Sequence, residues 1–111
     1  MRIGVPTTSY PRFAGDPAGV FVRALCLALV ARGHRCEVIA PHDELAEELC
    51  DDGVSVTRVR HRAPGWPRTF YGAGAPDNLA ADPRAVLGAL TYPPLLTRAL
   101  RSRGARWDAV L

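Results

Sequence analysis

Residues 15–41 read GDPAGVFVRALCLALVARGHRCEVIAP, and this stretch decides the fold. Asp16 can cap a helix, Pro17 suits the first helical position, and Gly33 stands where a helix would stop. The run Cys36–Ala40, ended by a proline, is typical of a buried parallel strand. The stretch therefore predicts a helix followed at once by a strand.

The predicted helix is apolar around most of its circumference. Only Arg23 and Arg32 interrupt the apolar residues between Val20 and Gly33. A helix with so few polar positions normally has neighbours on more than one side. We therefore expect this helix to be packed on more than one side.

The other predicted elements extend outward from this unit. They are a first strand at Ile3–Pro6, a second helix from Asp43 to about Asp51, a third strand at Val54–Thr57 that Val59 extends, an irregular stretch at 61–82, a helical region at 83–102 and a fourth strand at 107–111. Because Pro93-Pro94 interrupts the helical region, we expect it to form two short helices or one kinked helix. The order β-α-β-α-β-α-β predicts an α/β fold, a Rossmann-like doubly wound parallel sheet with strand order 3-2-1-4. Because such sheets normally continue with further strands, we expect residues 1–111 to be a truncated N-terminal domain.

Composition excludes several classes of protein. The chain has 111 residues, 48% of them hydrophobic, and its net charge is +3, which fits one globular domain. All 14 basic residues are arginines, scattered along the chain, so nucleic-acid binding is not favoured. An arginine-only composition fits both a GC-rich genome and phosphate-bearing partners. The longest apolar run is shorter than the roughly 20 residues that span a bilayer.

The cysteines and histidines do not have the spacing of metal ligands, so no metal is expected. Cys26, Cys36 and Cys50 are odd in number and form no C-x-x-C pair, which favours buried free thiols in a reducing cytosol.

The loop from Ser9 to Gly19 is the strongest candidate for chemistry. It follows the first strand, and Gly15 and Gly19 allow backbone amides to approach a ligand. A helix start behind the loop would present free N–H groups and a positive dipole end to a phosphate. The loop lacks the G-x-G-x-x-G dinucleotide fingerprint, and from spacing alone a plain strand-to-helix turn capped by Asp16 is the favoured interpretation. A carboxylate at Asp16 suits a sugar hydroxyl better than a bound anion.

The ordered set of motifs resembles family 4 glycosyltransferases, which have the GT-B architecture of two Rossmann-like domains facing across a cleft. The resemblance is carried by Thr8–Arg12, Gly15–Val22, Leu29–Pro41, Tyr71–Leu79 and Trp107–Val110. It implies retaining transfer of a sugar from a nucleotide diphosphate sugar to a carbohydrate, lipid-linked or small-molecule acceptor, without a cofactor or required metal. It also implies that this chain is the acceptor-side N-terminal portion, in the cytoplasm or peripheral at the inner membrane face.

The resemblance also assigns roles to residues. It implies a donor-phosphate and acceptor loop at Gly15, Asp16, Ala18 and Gly19, and together with the polar and aromatic character of the glycine-rich segment it suggests acceptor contacts at Ser9, Tyr10, Arg12, Tyr71 and Asn78. The family's glutamate pair lies in the C-terminal donor-binding domain, and its histidine follows the fourth strand. No catalytic residue is therefore expected within this chain, and we expect it to be inactive without that second domain.

Two alternatives to a transferase remain. One is a non-catalytic Rossmann-like module that binds a nucleotide or sugar phosphate in the crevice at the carboxyl ends of the strands. The other is a different α/β enzyme, flavodoxin-like or epimerase-like, which the missing phosphate-binding glycine pattern disfavours.

Several polar residues carry two interpretations each. His34 fits a helix C-terminus better than catalysis, and His42 fits a solvated strand end better than the crevice. His61, among Arg58, Arg60 and Arg62, suggests either a wet basic strand end or a contact with an anionic acceptor or lipid headgroup.

The glycine-rich segment and the helical region after it also leave two interpretations open. Tyr71, Asp77, Asn78 and Tyr92 suit carbohydrate recognition, but they equally suit a turn at 77–78 with the tyrosines covering the sheet.

Overall fold

Four parallel strands form one sheet in the computed structural model, which describes residues 1–49, 51–63, 65–72 and 74–111. The elements are β1 (Arg2–Pro6), α1 (Val20–Ala31), β2 (Arg35–Pro41), β3 (Val54–Val59), α2 (Ala75–Ala81), α3 (Val86–Arg103) and β4 (Ala109–Val110), with 3-10 turns at Pro83–Ala85 and Gly104–Arg106. The strands are hydrogen-bonded side by side in the order β3-β2-β1-β4. The predicted α/β class with a parallel sheet is confirmed.

One face of the sheet packs against α1. Ile3 pairs with Cys36 and Val5 with Val38 in the parallel register, so these four apolar side chains point to the same face. They form one buried cluster with residues of α1 and its preceding loop, whose buried members are Ile3, Val5, Tyr10, Val22, Cys26, Cys36, Val38 and Ala40. Cys26 and Cys36 are buried free thiols, as expected, and Cys50 lies outside the described residues.

The opposite face carries Gly4 and Glu37, and α3 and Trp107 pack against it. A side chain at Gly4 would place its Cβ within 2.3 Å of the Trp107 ring, so the tryptophan can lie flat only because this strand position has no side chain. Glu37 accepts hydrogen bonds from Arg103 of α3 at 2.6 Å and from the Trp107 indole at 2.7 Å. Helical segments therefore cover both faces of the sheet.

Helix α1 begins later than the sequence predicts. Its N-cap is Gly19, at φ 64°, and no side chain caps it, so the predicted roles of Asp16 as cap and Pro17 as first helical residue are wrong. The physical reason is that Asp16 is already engaged by Arg12 and by the amide of Ala18. The predicted end is confirmed, since the helix closes just before Gly33, at φ 91°.

The outer face of α1 is apolar and exposed, so the expectation of packing on several sides is wrong among the described residues. Phe21 is 74% exposed and Leu25 45% exposed, whereas Val22 and Cys26 are buried against the sheet. The helix therefore buries one stripe only and leaves a second apolar stripe open.

The predicted second helix at 43–51 is also wrong for the described part of that range. Residues 44 and 45 form a turn and residues 46–49 are irregular. The side chain of Asp43 accepts a hydrogen bond from the Leu45 amide, and the Glu47 amide donates to the Arg12 carbonyl instead of to a helical partner. Long-range contacts have replaced the helical bonds.

The C-terminal half holds more helix than the sequence predicts. The stretch 61–82, expected to be irregular, contains α2, and the region interrupted at Pro93-Pro94 is one continuous helix, α3. The hydroxyl of Thr91 donates to the Leu87 carbonyl, and that of Thr97 donates to the Pro93 carbonyl. These two threonines flank the prolines, which lack the backbone N–H groups of other helical residues. Within the described ranges, no helix has the length and apolar character that crossing a bilayer requires.

Candidate functional site

Three connecting segments meet at the carboxyl ends of β1, β2 and β3. They are the loop 7–19 after β1, residues 42–49 after β2, and residues 60–72 after β3, without residue 64. In parallel α/β sheets ligands bind at this edge, next to a strand from which the chain winds in both directions. Here β1 is that strand, because it lies between β2 and β4.

A group of charges around two buried aspartates joins the three segments, and we call Arg12, Asp16, Asp43, Arg62 and Arg68 the ion cluster. Arg12 Nε lies 2.7 Å from Asp16 Oδ2, and Arg12 Nη1 lies 3.4 Å from Asp43 Oδ1. Asp43 also meets Arg62 at 3.5 Å and Arg68 at 2.7 Å. Both aspartate side chains are 1% exposed, and Arg62 also pairs with Glu44 at 2.6 Å. Three arginines therefore neutralise three carboxylates, two of which have almost no access to water.

The two carboxylates remain ionised despite their burial. Burial favours the neutral form of Asp16, but hydrogen bonds from the Arg12 guanidinium and from the amides of Arg12 and Ala18 outweigh it and lower its pKa to about 2. Burial likewise opposes ionisation of Asp43, and the Leu45 amide together with Arg68 holds its pKa below the usual range. All four carboxylate oxygens accept at least one hydrogen bond.

Arg58 and Tyr71 form a second junction beside the ion cluster. The Arg58 guanidinium donates to the carbonyls of Tyr10 at 3.3 Å, Pro11 at 2.7 Å and Pro41 at 3.4 Å, and to the Tyr71 hydroxyl at 2.6 Å. The same hydroxyl donates to Pro41 O and accepts from the Tyr10 amide. Burial raises the pKa of Tyr71, so the group stays a neutral phenol that can donate. One guanidinium thus joins the loop after β1 to the end of β2 and to Tyr71 in the segment after β3.

The segment Pro67–Gly72, which we call the strap, lies over this edge of the sheet. Its Arg68 is bonded to Asp43, and its Thr69 hydroxyl donates to Ala85 O at 2.7 Å. Asn78 of α2 donates from its amide to the carbonyls of Thr69 at 3.0 Å and Tyr71 at 2.7 Å. Asn78 therefore positions the strap.

The predicted acceptor residues are brought together, but most of them are buried. Tyr10 and Tyr71 are 0% and 2% exposed, and Arg12 is 7% exposed. Ser9 is half-buried, and its amide and carbonyl both bond to the Thr7 hydroxyl. In this arrangement these side chains contact one another and their own loops.

The predicted phosphate loop divides into a closed part and an open part. Gly19 is buried, and a Cβ there would lie 2.5 Å from the Ser9 carbonyl oxygen, so its close backbone approach serves the loop itself. The half-buried Ala18 donates its amide to Asp16. Gly15, by contrast, is exposed at φ 90°, with no atom within 4 Å of the position a Cβ would take. Backbone access for a ligand is therefore concentrated at Gly15.

His61 is buried, so its interpretation as a wet strand end is wrong. It is 5% exposed, and its ring lies between Phe70, at 5.5 Å between centroids, and Tyr92, at 5.4 Å. Burial lowers its pKa, which keeps the imidazole neutral, and Nδ1 lies 3.3 Å from the Val59 carbonyl oxygen. The aromatic neighbours explain why this histidine is inside although three arginines flank it along the chain.

The structure supports the sheet-covering interpretation for Tyr92 but not the predicted turn at 77–78. Tyr92 is buried and donates from its hydroxyl to Thr7 O at 2.7 Å, which fits a tyrosine covering the sheet. Asp77 and Asn78 lie in α2, so the predicted turn at this pair is wrong. A short helix forms there because Gly74, at φ 97°, turns the chain and Pro76 suits its first turn.

His34 and His42 lie at opposite edges of the sheet. The His34 ring contacts the Met1 amine at 3.1 Å, and its backbone amide donates to Leu29 O at the end of α1. His42 is half-buried and lines a groove of about 460 Å³ with Tyr10, Glu47, Asp51 and Arg58. Burial lowers the His42 pKa, and Arg60 adds to that effect. Among the described residues no group of histidine, cysteine and carboxylate side chains has the geometry of a metal site.

Sequence reasoning missed the residues that organise this edge. Asp43 was predicted only as the start of a helix, Arg68 was not singled out, and Arg58 was considered only as part of a basic strand end. Their partners are distant along the chain, since Asp43 and Arg68 are 25 positions apart and Arg58 and Pro11 are 47 apart. The available signal was weak: a lone aspartate two residues after the proline that ends a predicted strand.

Comparison of the chain with protein-family models, with curated proteins and with solved structures gave no match.

Proposed function

We propose that this chain is the acceptor-side N-terminal domain of a GT-B glycosyltransferase of the family 4 type. In that role it would bind a nucleotide diphosphate sugar and an acceptor at the carboxyl ends of β1 and β2, together with a second, donor-binding domain. The proposal rests on the motifs in the sequence and on where the structure puts the first of them.

The position of the loop 7–19 carries the proposal. The loop leaves the carboxyl end of β1, which has a parallel neighbour on each side, and it leads directly into α1. Helical segments on both faces, with α1 against Val38 and α3 against Glu37, match the winding of a Rossmann-like sheet. Gly15 is the exposed point where a donor phosphate can approach main-chain atoms of this loop.

The ion cluster gives the loop a fixed shape before any ligand binds. Arg12 bonds to Asp16 within the loop and to Asp43 after β2, and Arg58 bonds to two carbonyls of the same loop. A preorganised loop loses less conformational entropy on binding. This supports a role for Arg12 and Tyr71 in positioning the acceptor loop, with direct contact left to the exposed residues around Gly15.

One observation fits the alternative, a non-catalytic module that binds a nucleotide or sugar phosphate, as well as it fits the N-terminal domain of a transferase. The carboxylates of Asp16 and Asp43 already accept hydrogen bonds at both oxygens, so neither is available as a general base in this arrangement. A donor-binding domain would have to supply the reacting groups.

A matched pair of glycine variants tests the proposed site. Gly15 and Gly33 are both exposed, at φ 90° and 91°, and a Cβ at either position would meet open space. Gly15→Ala and Gly33→Ala therefore cost similar stability, roughly 1 kcal/mol each. In NMR titrations with UDP-, GDP- and ADP-linked sugars, we expect Gly15→Ala to weaken binding and Gly33→Ala to leave it unchanged. Equal effects of the two variants, or no binding by the unaltered chain, would contradict the site.

An activity assay separates the transferase from the module. The full-length product of the gene that encodes this chain should transfer a labelled sugar with retention of anomeric configuration if the proposal holds. Ligand binding without transfer by that protein would favour the module instead.

A further inference from the structure

A second pocket lies at the opposite edge of the sheet, at the amino ends of β1, β2 and β3. Its volume is about 220 Å³, and it is lined by Arg2, Ile3, Arg35, Cys36, Glu37, Gly53, Val54, Ser55 and Trp107. The strands separate it from the ion cluster and the loop 7–19. It plays no part in the function proposed above.

Two arginines stand side by side in this pocket. Arg2 and Arg35 are register partners on the adjacent strands β1 and β2, so their side chains project from the same face. Adjacent strands lie about 4.8 Å apart, and like charges on directly paired positions are destabilising. Both residues are exposed, and among the described residues neither guanidinium is within ion-pair distance of a carboxylate.

The nearby carboxylates are already engaged. Glu37 accepts from Arg103 with one oxygen and from the Trp107 indole with the other. Asp108 accepts from the backbone amide of Arg2 at 2.7 Å, not from its guanidinium. The lining residues therefore carry two positive charges, on Arg2 and Arg35, and one negative charge, on Glu37. The charge of Glu37 is already neutralised by Arg103.

The remaining lining groups suit a small oxyanion. Ser55 is the register partner of Glu37, it is exposed, and its hydroxyl is a donor on the same face as the two arginines. The half-buried Trp107 ring packs on Gly4 and closes one side of the pocket. Two guanidinium groups and a hydroxyl are all hydrogen-bond donors, two of them charged, which suits phosphate oxygens better than a neutral ligand.

We propose that this pocket binds a phosphate-bearing anion through the guanidinium groups of Arg2 and Arg35 and the hydroxyl of Ser55. The phosphate can come from a soluble phosphate compound or from a lipid headgroup, since both present the same oxygens. Binding relieves the repulsion between the paired arginines, so the anion also stabilises the start of β1 and β2.

The experiment titrates the 111-residue chain with pyrophosphate by calorimetry at constant ionic strength, and measures its cosedimentation with phosphatidylglycerol and phosphatidylcholine vesicles. Each measurement is repeated on Arg35→Gln and on Arg32→Gln. Arg32 is also exposed, three residues away, but it does not line the pocket, so its variant has the same net charge without altering the site. We expect Arg35→Gln to weaken binding about tenfold, as loss of a charge-assisted hydrogen bond does, and Arg32→Gln to have no effect.

The outcomes distinguish the two sources and the failure of the proposal. Arg35-dependent binding of pyrophosphate supports a soluble phosphate, and Arg35-dependent binding of phosphatidylglycerol vesicles alone supports a lipid headgroup. If neither probe binds, or if Arg32→Gln weakens binding as much as Arg35→Gln, the proposal is overturned, because the attraction is then diffuse. A thermal unfolding control shows whether Arg35→Gln is folded; relief of repulsion predicts a melting temperature at least equal to that of the unaltered chain.

Discussion

At the scale of single residues, Asp16 shows how position in the fold changes what a side chain can do. The sequence offers it as a helix cap or as a partner for a sugar hydroxyl. In the structure its side chain is 1% exposed, and Arg12 and the Ala18 amide occupy both of its oxygens. Its ionised form is thereby favoured, with a pKa of about 2. Asp16 therefore stabilises the loop instead of ending a helix.

This arrangement predicts an acid-sensitive contribution to stability. The folded pKa of Asp16 lies below its unfolded value, so its contribution is fully present above about pH 4 and is lost as the pH falls towards 2. We expect Asp16→Asn to lower the free energy of unfolding by roughly 2 kcal/mol at pH 7. The difference from the unaltered chain should be small at pH 2, where half of the folded Asp16 carboxylate is protonated, and should vanish below that pH. Urea unfolding at a series of pH values measures it.

The control for this prediction is Asp52→Asn, because Asp52 is exposed and belongs to no ion pair among the described residues. Its variant should follow the unaltered chain at every pH. A difference between Asp16→Asn and the unaltered chain that stays constant from pH 7 to pH 2 would show that the Asp16 carboxylate is not preferentially stabilised in the folded state.

At the scale of elements, α1 shows which predictions the sequence supports. Its end at Gly33 and the strand after it follow from local signals, namely a glycine at positive φ and an apolar run. Its start and its exposed face do not, because they depend on Arg12 and on what lies beside the helix. The unpredicted loop at 43–49 has the same origin: Asp43 accepts bonds from arginines 19 and 25 positions away, which no local pattern reveals.

The same distinction between local signals and long-range contacts applies to the candidate site. Sequence motifs place Tyr10, Arg12, Tyr71 and Asn78 in segments that do meet at one edge of the sheet. Their burial, and the role of Arg58 in joining the loops, depend on contacts that form only when the sheet is assembled.

Adjacent residues of α1 provide a test of how this helix is packed. Val22 is 6% exposed against the sheet, and Phe21 is 74% exposed on the outer stripe. We expect Val22→Ala to cost about 2 kcal/mol of unfolding free energy, from two buried methyl groups and the cavity they leave. Phe21→Ala should change stability by less than about 0.5 kcal/mol, although it removes the larger side chain. Urea unfolding measures both. A larger loss for Phe21→Ala would mean that the outer stripe is covered in solution.

At the scale of the whole molecule, the sheet joins two unlike halves. On the α1 side its core is apolar, built from Ile3, Val5 and Val38. On the α3 side and at the carboxyl edge, contacts are made by ion pairs, tyrosine hydroxyls and Asn78. Apolar burial is non-directional, whereas these polar contacts require fixed geometry. The polar edge is thus where the fold sets the shape of a binding site, and the apolar side supplies the general stability that holds it.

The two described cysteines can report whether this molecule unfolds as one unit. Cys26 lies on α1 and Cys36 on β2, both buried at the interface between helix and sheet. Burial raises the pKa of Cys26 to about 12, so its reactive thiolate is scarce until the interface opens. In a Cys50→Ser variant, which removes the third thiol, we expect both cysteines to be labelled with the same opening free energy, equal to that of global unfolding. Mass spectrometry after pulses of a thiol reagent in increasing urea measures each site. Since α1 buries only one stripe, labelling of both cysteines at an opening free energy below that of global unfolding would show that the helix detaches from an intact sheet, and the α1 interface would then be the weakest part of the fold.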